Sequence, residues 1–165
     1  MRAASLLFCL APLLFLGMAK KPKEITVRFH VEANARDGAP FAIPVTYRNP
    51  PRAGFAERVP SLSERDISAI FPVQAADGTF GCAFQFNKHG TFALQTQSTL
   101  RRGTSLIVFV VTKAGVHQVI DMVIDKPITD GIIYVPYGLT AYEIALLQKE
   151  FPTMGQPPGK KRKQA

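Results

Sequence analysis

At 165 residues, with 47% apolar and 19% charged side chains, the chain is long enough to close one substantial core and too apolar to stay unfolded, which excludes wholesale disorder. The formal net charge of +8 resides at the ends: Arg2, Lys20, Lys21, Lys23, Lys160, Lys161, Arg162 and Lys163 are eight of the twenty Lys and Arg, and the other twelve equal the twelve acids. The body between them is close to neutral, and the high isoelectric point belongs to the two ends.

The first nineteen residues carry an export address. Arg2 precedes an apolar run over residues 6–16, and Gly17 and Ala19 stand at the third and first positions before a cut after Ala19. The run is short of the roughly 20 apolar residues of a spanning helix, so cleavage is preferred. Lys20, Lys21 and Lys23 resist translocation and keep an uncleaved amino-terminal anchor as the alternative. Cleavage removes Cys9 and leaves Cys82 alone, so the mature chain forms no internal disulfide. Cys82 alternates with Phe80, Phe84 and Phe86 and is expected as a small core residue. Residues 20–24 form a basic linker, and 25–152 a single domain.

Within that domain Ile25, Val27, Phe29 and Val31 alternate with Thr26, Arg28, His30 and Glu32, the period of a half-buried strand. After a turn at Asp37-Gly38, residues 41–47 form a second strand that Pro44 confines to a sheet edge. Residues 48–63, with Pro50, Pro51, Gly54 and Pro60, are expected as loop. Residues 63–66 turn the chain into a strand carrying Ile67, Ala69 and Phe71. Asp77-Gly78 joins it to residues 80–86, so these two neighbours pair antiparallel.

Residues 89–103 are ambiguous. Phe92, Thr96 and Leu100 recur every four residues as on a helix, whereas Phe92, Leu94 and Thr96 also alternate as in a strand. Residues 106–111 are a continuous apolar run suited to a central strand covered on both faces. Strands at 116–124 and 132–137 follow, separated by Lys126-Pro127 and Asp130-Gly131. Thr140 and Glu143 form a capping box, Ile144, Leu147 and Phe151 share one helical face, and Pro152 ends that helix. Residues 153–165 are a Pro- and Gly-rich linker with a basic end.

The order of a strand, Gly90, about a dozen residues, Gly103, an apolar strand, a second strand, Ile128-Thr129-Asp130-Gly131, a strand, Gly138-Leu139-Thr140 and a helix opening with Glu143 resembles the head portion of the large periplasmic domain of SecD, a preprotein translocase subunit. The match runs without a gap over residues 90–110, and the resemblance covers residues 80–151. It implies a helix over 89–103, an α+β domain, and contact with unfolded or secreted polypeptide. The membrane spans with which SecD draws on a proton gradient have no counterpart in the sequence, so that activity is not implied.

Chemistry is sparse. His30 and Glu32 share the outer face of the first strand, expected as a solvated face and not a metal site, because zinc needs three or four convergent ligands. His89 is expected in a turn, and His117 has no nameable partner. Asp121 and Asp125 lie on one face of a strand but about 13 Å apart, and Glu57, Glu64 and Asp66 cluster near a loop. Solvent is expected on these carboxylates; were Asp121 covered, Arg101 or Arg102 would have to pair with it. No nucleophile elbow or phosphate loop occurs.

Lys160, Lys161, Arg162 and Lys163 can dwell on polyanions such as acidic headgroups or cell-wall polymer, or simply solubilise the chain. No aromatic residue interleaves them, so specific nucleic-acid binding is not expected.

The sequence therefore predicts an α+β fold: one twisted, mostly antiparallel sheet with a carboxy-terminal helix and a second helix on one face, the alternative being a mostly-β meander with one helix. It predicts a periplasmic or secreted, non-enzymatic domain without cofactor or metal that binds or scaffolds in the bacterial cell envelope. The partners expected are a protein or secreted polypeptide and an anionic envelope surface. An accessory factor for secreted polypeptide and a hydrolase assembled only by the fold are the alternatives.

Overall fold

A computed structural model describes residues 23–48 and 50–155. Nine strands, two α-helices and one 3₁₀ turn follow in the order β1 (Ile25–Ala33), 3₁₀ turn (Ala35–Asp37), β2 (Ala42–Arg48), β3 (Pro51–Glu57), β4 (Leu62–Ser63), β5 (Ile67–Gln74), β6 (Phe80–Phe86), α1 (Lys88–Leu100), β7 (Ser105–Thr112), β8 (Gly115–Val123), β9 (Ile132–Leu139) and α2 (Ala141–Glu150). The α+β class is as expected. The strands divide, however, into two sheets instead of one: β2-β3-β1-β7-β8, with β4 alongside β1, and β5-β6-β9. The division arises because α1 carries the chain away after β6, and β6 takes β9 as its second partner in place of β7.

The two sheets enclose the main core. Ile25, Val27, Phe29 and Val31 of β1 face Ile70, Cys82, Phe84, Ile133 and Val135 of the second sheet. Phe29 meets Phe84 and Phe86 edge to face, with centroids 5.6 and 5.4 Å apart. Each such pair adds about 0.5–1.5 kcal/mol beyond the burial of its area.

Residues 88–100 are helical, as the SecD resemblance implies. Asn87 accepts from the Gly90 amide at 2.9 Å and caps α1. A side chain at Gly90 would press on Asp66 and Phe86, so only glycine lets the first turn sit this close to β6. The row buried against the body is Gly90, Leu94 and Ser98, while Phe92 and Leu100 point to solvent. In α2 the capping box is present as expected, and Ile144, Leu147 and Phe151 are buried. Beyond the helix, Ile70 donates to Pro152 and Met154 donates to Ile70, and Thr153 pairs in parallel with Ile70 along the free edge of β5.

The segment 48–63 is not loop. β3 pairs with β2 along its full length, and with the end of β1 at Glu32 and Ala33. Pro51 is tolerated because it opens the strand. Gly54 is required because a side chain there would overlap the Tyr47 ring. β2 lies at the edge of its sheet, as Pro44 demands.

Candidate functional site

The β2–β3 hairpin folds back over the outer face of β1, β7 and β8. Register places Ile107 and Phe109 beside His30 and Arg28 on that face, and Tyr47, Ala56 and Ile107 form a second small core beneath the hairpin. The solvated face expected for His30 and Glu32 is therefore covered. His30 is 4% exposed, its Nδ1 donates to the Glu57 carbonyl at 2.7 Å, and its ring stands edge-on to Phe109. A carbonyl only accepts, so Nδ1 carries the proton. Burial lowers the His30 pKa, Arg28 lowers it further, and the bond to Glu57 only partly opposes them.

Glu32 accepts from Arg52 Nη2 at 2.7 Å and from the Ser105 amide at 3.0 Å. Burial pushes its pKa up, but these bonds outweigh burial and hold it below the usual carboxylate range. The Arg52 guanidinium stacks 3.9 Å from the Tyr47 ring centroid. The Tyr47 hydroxyl donates to Phe55 at 2.8 Å, and burial pushes that phenol up to about 12.

Near the same tip of the hairpin, Asp121 is buried, contrary to the expected solvent-facing edge. It accepts from the Arg48 amide at 2.9 Å, while Gln118 donates to the Thr46 carbonyl at 2.9 Å. Arg101 pairs with Glu57, and Arg102 donates to the Asp125 carbonyl.

These polar fastenings hold the hairpin across the sheet and leave beside it an open groove of about 530 Å³ lined by Ile43, Val45, Gly54, Phe55, Phe109 and Gln118, among others. Among the described residues no ionisable side chain lines it. Such a groove suits uncharged, apolar side chains presented by an extended chain.

Acid should loosen the hairpin before it unfolds the core. The His30 pKa is lower in the folded state, so its contribution is complete above the ordinary value of 6.5 and is lost as pH falls below it. Glu32 is likewise depressed, so its contribution is complete above 4.5 and is lost as pH falls through its lowered folded value. Amide exchange by β2 and β3 should therefore accelerate on acidification ahead of β6 and β9, which equal acceleration in all four strands would contradict.

His117, Glu143, His89 and Asp66 are engaged elsewhere. His117 Nδ1 lies 2.8 Å from Glu143 Oε1, and Thr140 donates to Glu143 Oε2 through both its amide, at 2.8 Å, and its hydroxyl, at 2.9 Å. The carboxylate stands between hydroxyl and imidazole, whereas a nucleophilic arrangement places the imidazole between the other two. His89, at the start of α1, pairs with Asp66, which also accepts from Ser63. Among the described residues no group of three or more His, Cys, Asp or Glu is placed to hold a metal ion. Cys82 is buried in the core as expected, and burial pushes its thiol up to about 12. Lys160, Lys161, Arg162 and Lys163 and the apolar leader lie outside the described residues.

No family model matches this sequence, and no curated protein matches it. Solved structures that share the fold include SecDF, described as a membrane component that enhances protein export, at a TM-score of 0.52 and 16% identity over 84% of this chain and 70% of that one. They also include SecDF in a super-membrane-facing form, at a TM-score of 0.50 and 17% identity over 79% of this chain and 19% of that one. At these identities the likeness is one of fold. It bears out the SecD resemblance of residues 80–151 and extends it to most of the chain.

Proposed function

We propose that this chain is a non-enzymatic, export-related binding domain of the bacterial cell envelope that receives an extended stretch of unfolded or secreted polypeptide beside β2. The observation that carries the reading is the uncharged apolar groove between the hairpin and β7–β8, next to an edge strand. Support comes from the leader-like first nineteen residues and from the fold shared with SecDF, which enhances protein export. Among the described residues no helix is long and apolar enough to cross a membrane. Burying one or two aliphatic side chains contributes about 1.5–3 kcal/mol each, and association entropy subtracts from that. Binding is therefore weak and exchangeable, as a passing polypeptide requires. The basic end, residues 160–163, adds a separate attraction to an anionic envelope surface.

A photocross-linking residue at Val45 should capture a reduced, carboxymethylated polypeptide, and one at Val116, exposed and outside the groove, should not. Capture at Val45 should persist when residues 159–165 are deleted, while retention on anionic vesicles should be lost. Equal labelling at both positions, or none at Val45, contradicts the groove assignment. Unchanged retention on vesicles contradicts the polyanion assignment alone.

A further inference from the structure

The outer face of the second sheet carries a second apolar surface, independent of the groove. Register aligns Phe71, Ala83 and Tyr134 in a row across β5, β6 and β9. Phe71 is 48% exposed, Tyr134 51% and Tyr137 47%, and among the described residues no helix or strand covers them. Tyr134, Pro136 and Tyr137 form one wall of a depression of about 500 Å³, and Ala75, Ala76 and Asp77 of the β5–β6 turn form another. The Asp77 carboxylate accepts from the Thr79 amide and hydroxyl at 2.9 and 2.6 Å. These bonds hold its pKa below the usual range, so it is a fixed negative charge at neutral pH.

Two tyrosine rings along one wall of a depression, with a carboxylate on the other, suit a proline-rich segment followed by a basic side chain. Proline residues preset the extended left-handed helix that aromatic slots accept at low entropic cost. This chain carries such a segment, Gln156-Pro157-Pro158-Gly159-Lys160-Lys161-Arg162-Lys163. The described chain also ends where it can deliver that segment. Thr153 runs parallel to β5 at Ile70, so the chain heads toward the end of β5 that bears Gln74 and the Asp77 turn. Gly155, at φ +78°, is in the left-handed region where the chain can turn onto the face. Pro157 and Pro158 follow Thr153 by four and five residues, an extended reach of about 13–17 Å, and β9 lies two strand spacings, about 10 Å, across the sheet from β5.

We infer that residues 156–165 dock on the outer face of the second sheet, with Pro157 and Pro158 on the Tyr134 and Tyr137 rings and a basic side chain of residues 160–163 against Asp77.

The test compares tyrosine ring NMR signals of the full chain, a chain ending at Gly155, the double variant Pro157→Ser/Pro158→Ser, and Asp77→Asn, each at two protein concentrations tenfold apart. The Tyr134 and Tyr137 signals should differ between the full and shortened chains equally at both concentrations. The proline double variant should resemble the shortened chain, and Asp77→Asn should reduce the difference by at least half. Identical ring signals in the full and shortened chains overturn the inference. A difference that grows with concentration assigns the face to a second copy and overturns it too, and so does a difference that survives loss of both prolines.

Discussion

Phe29→Ala should destabilise the fold by about 3–5 kcal/mol, the usual cost of emptying a fully buried phenylalanine site, against a total of about 5–15 kcal/mol for a domain of this kind. Phe29 is 0% exposed and lies where β1 of the first sheet meets Phe84 and Phe86 of the second. Its loss removes two edge-to-face contacts and opens a void between elements that no backbone pairing joins at that point. Collapse of either sheet into the void would break its own ladder, so relaxation recovers little. Urea denaturation should show a lower midpoint with an unchanged slope. Phe92→Ala is the control: that ring is 72% exposed, and its loss should change stability by less than about 0.5 kcal/mol. Similar costs at the two positions would contradict the assignment of the buried face of α1 to Gly90, Leu94 and Ser98.

Glu143→Ala should cost about 2–4 kcal/mol, combining the loss of a helix cap with a buried backbone donor left unpaired. The Glu143 carboxylate is 5% exposed and receives the Thr140 amide and hydroxyl on one oxygen while His117 lies against the other. It therefore ties the start of α2 to β8 as well as closing the first helical turn. Glu143→Gln keeps an acceptor for Thr140 and should cost less than half as much. Amide exchange in the first turn of α2 should rise with Ala and change little with Gln. An equal effect of both substitutions would mean that the charge, and not the cap, holds the helix.

The sequence is most legible where local pattern and tertiary role coincide. The alternation in β1 is two-sided in chemistry because its inner face meets the second sheet, and the Thr140–Glu143 box is a local motif whose partners lie three residues apart. β3 is not legible in the sequence because Pro51, Arg52, Ala53 and Gly54 have low strand propensity. That strand exists because it pairs with β2 and the end of β1. α1 was ambiguous because glycine and serine occupy two of its three buried positions, which erases the apolar stripe a helix usually displays.

The split into two sheets was hidden by distance, since β6 takes a partner that begins 46 residues after its own last residue. The same holds for the candidate site. That His30 and Glu32 share the outer face of β1 follows from alternation, but the hairpin that covers them is a long-range contact. The Arg48 amide that reaches Asp121 and the Glu143 carboxylate beside His117 are 73 and 26 residues away, and spacing along one strand carries no trace of either.

The central claim is that the uncharged groove beside β2 receives extended polypeptide, and backbone NMR during titration with a reduced, carboxymethylated chain tests it most directly. Amide signals of residues 43, 45, 46, 54, 55, 109 and 118 should move together and saturate with one dissociation constant, with α2 and β9 unmoved. Saturating shifts centred on any other face, or none while the protein remains folded, would contradict the account.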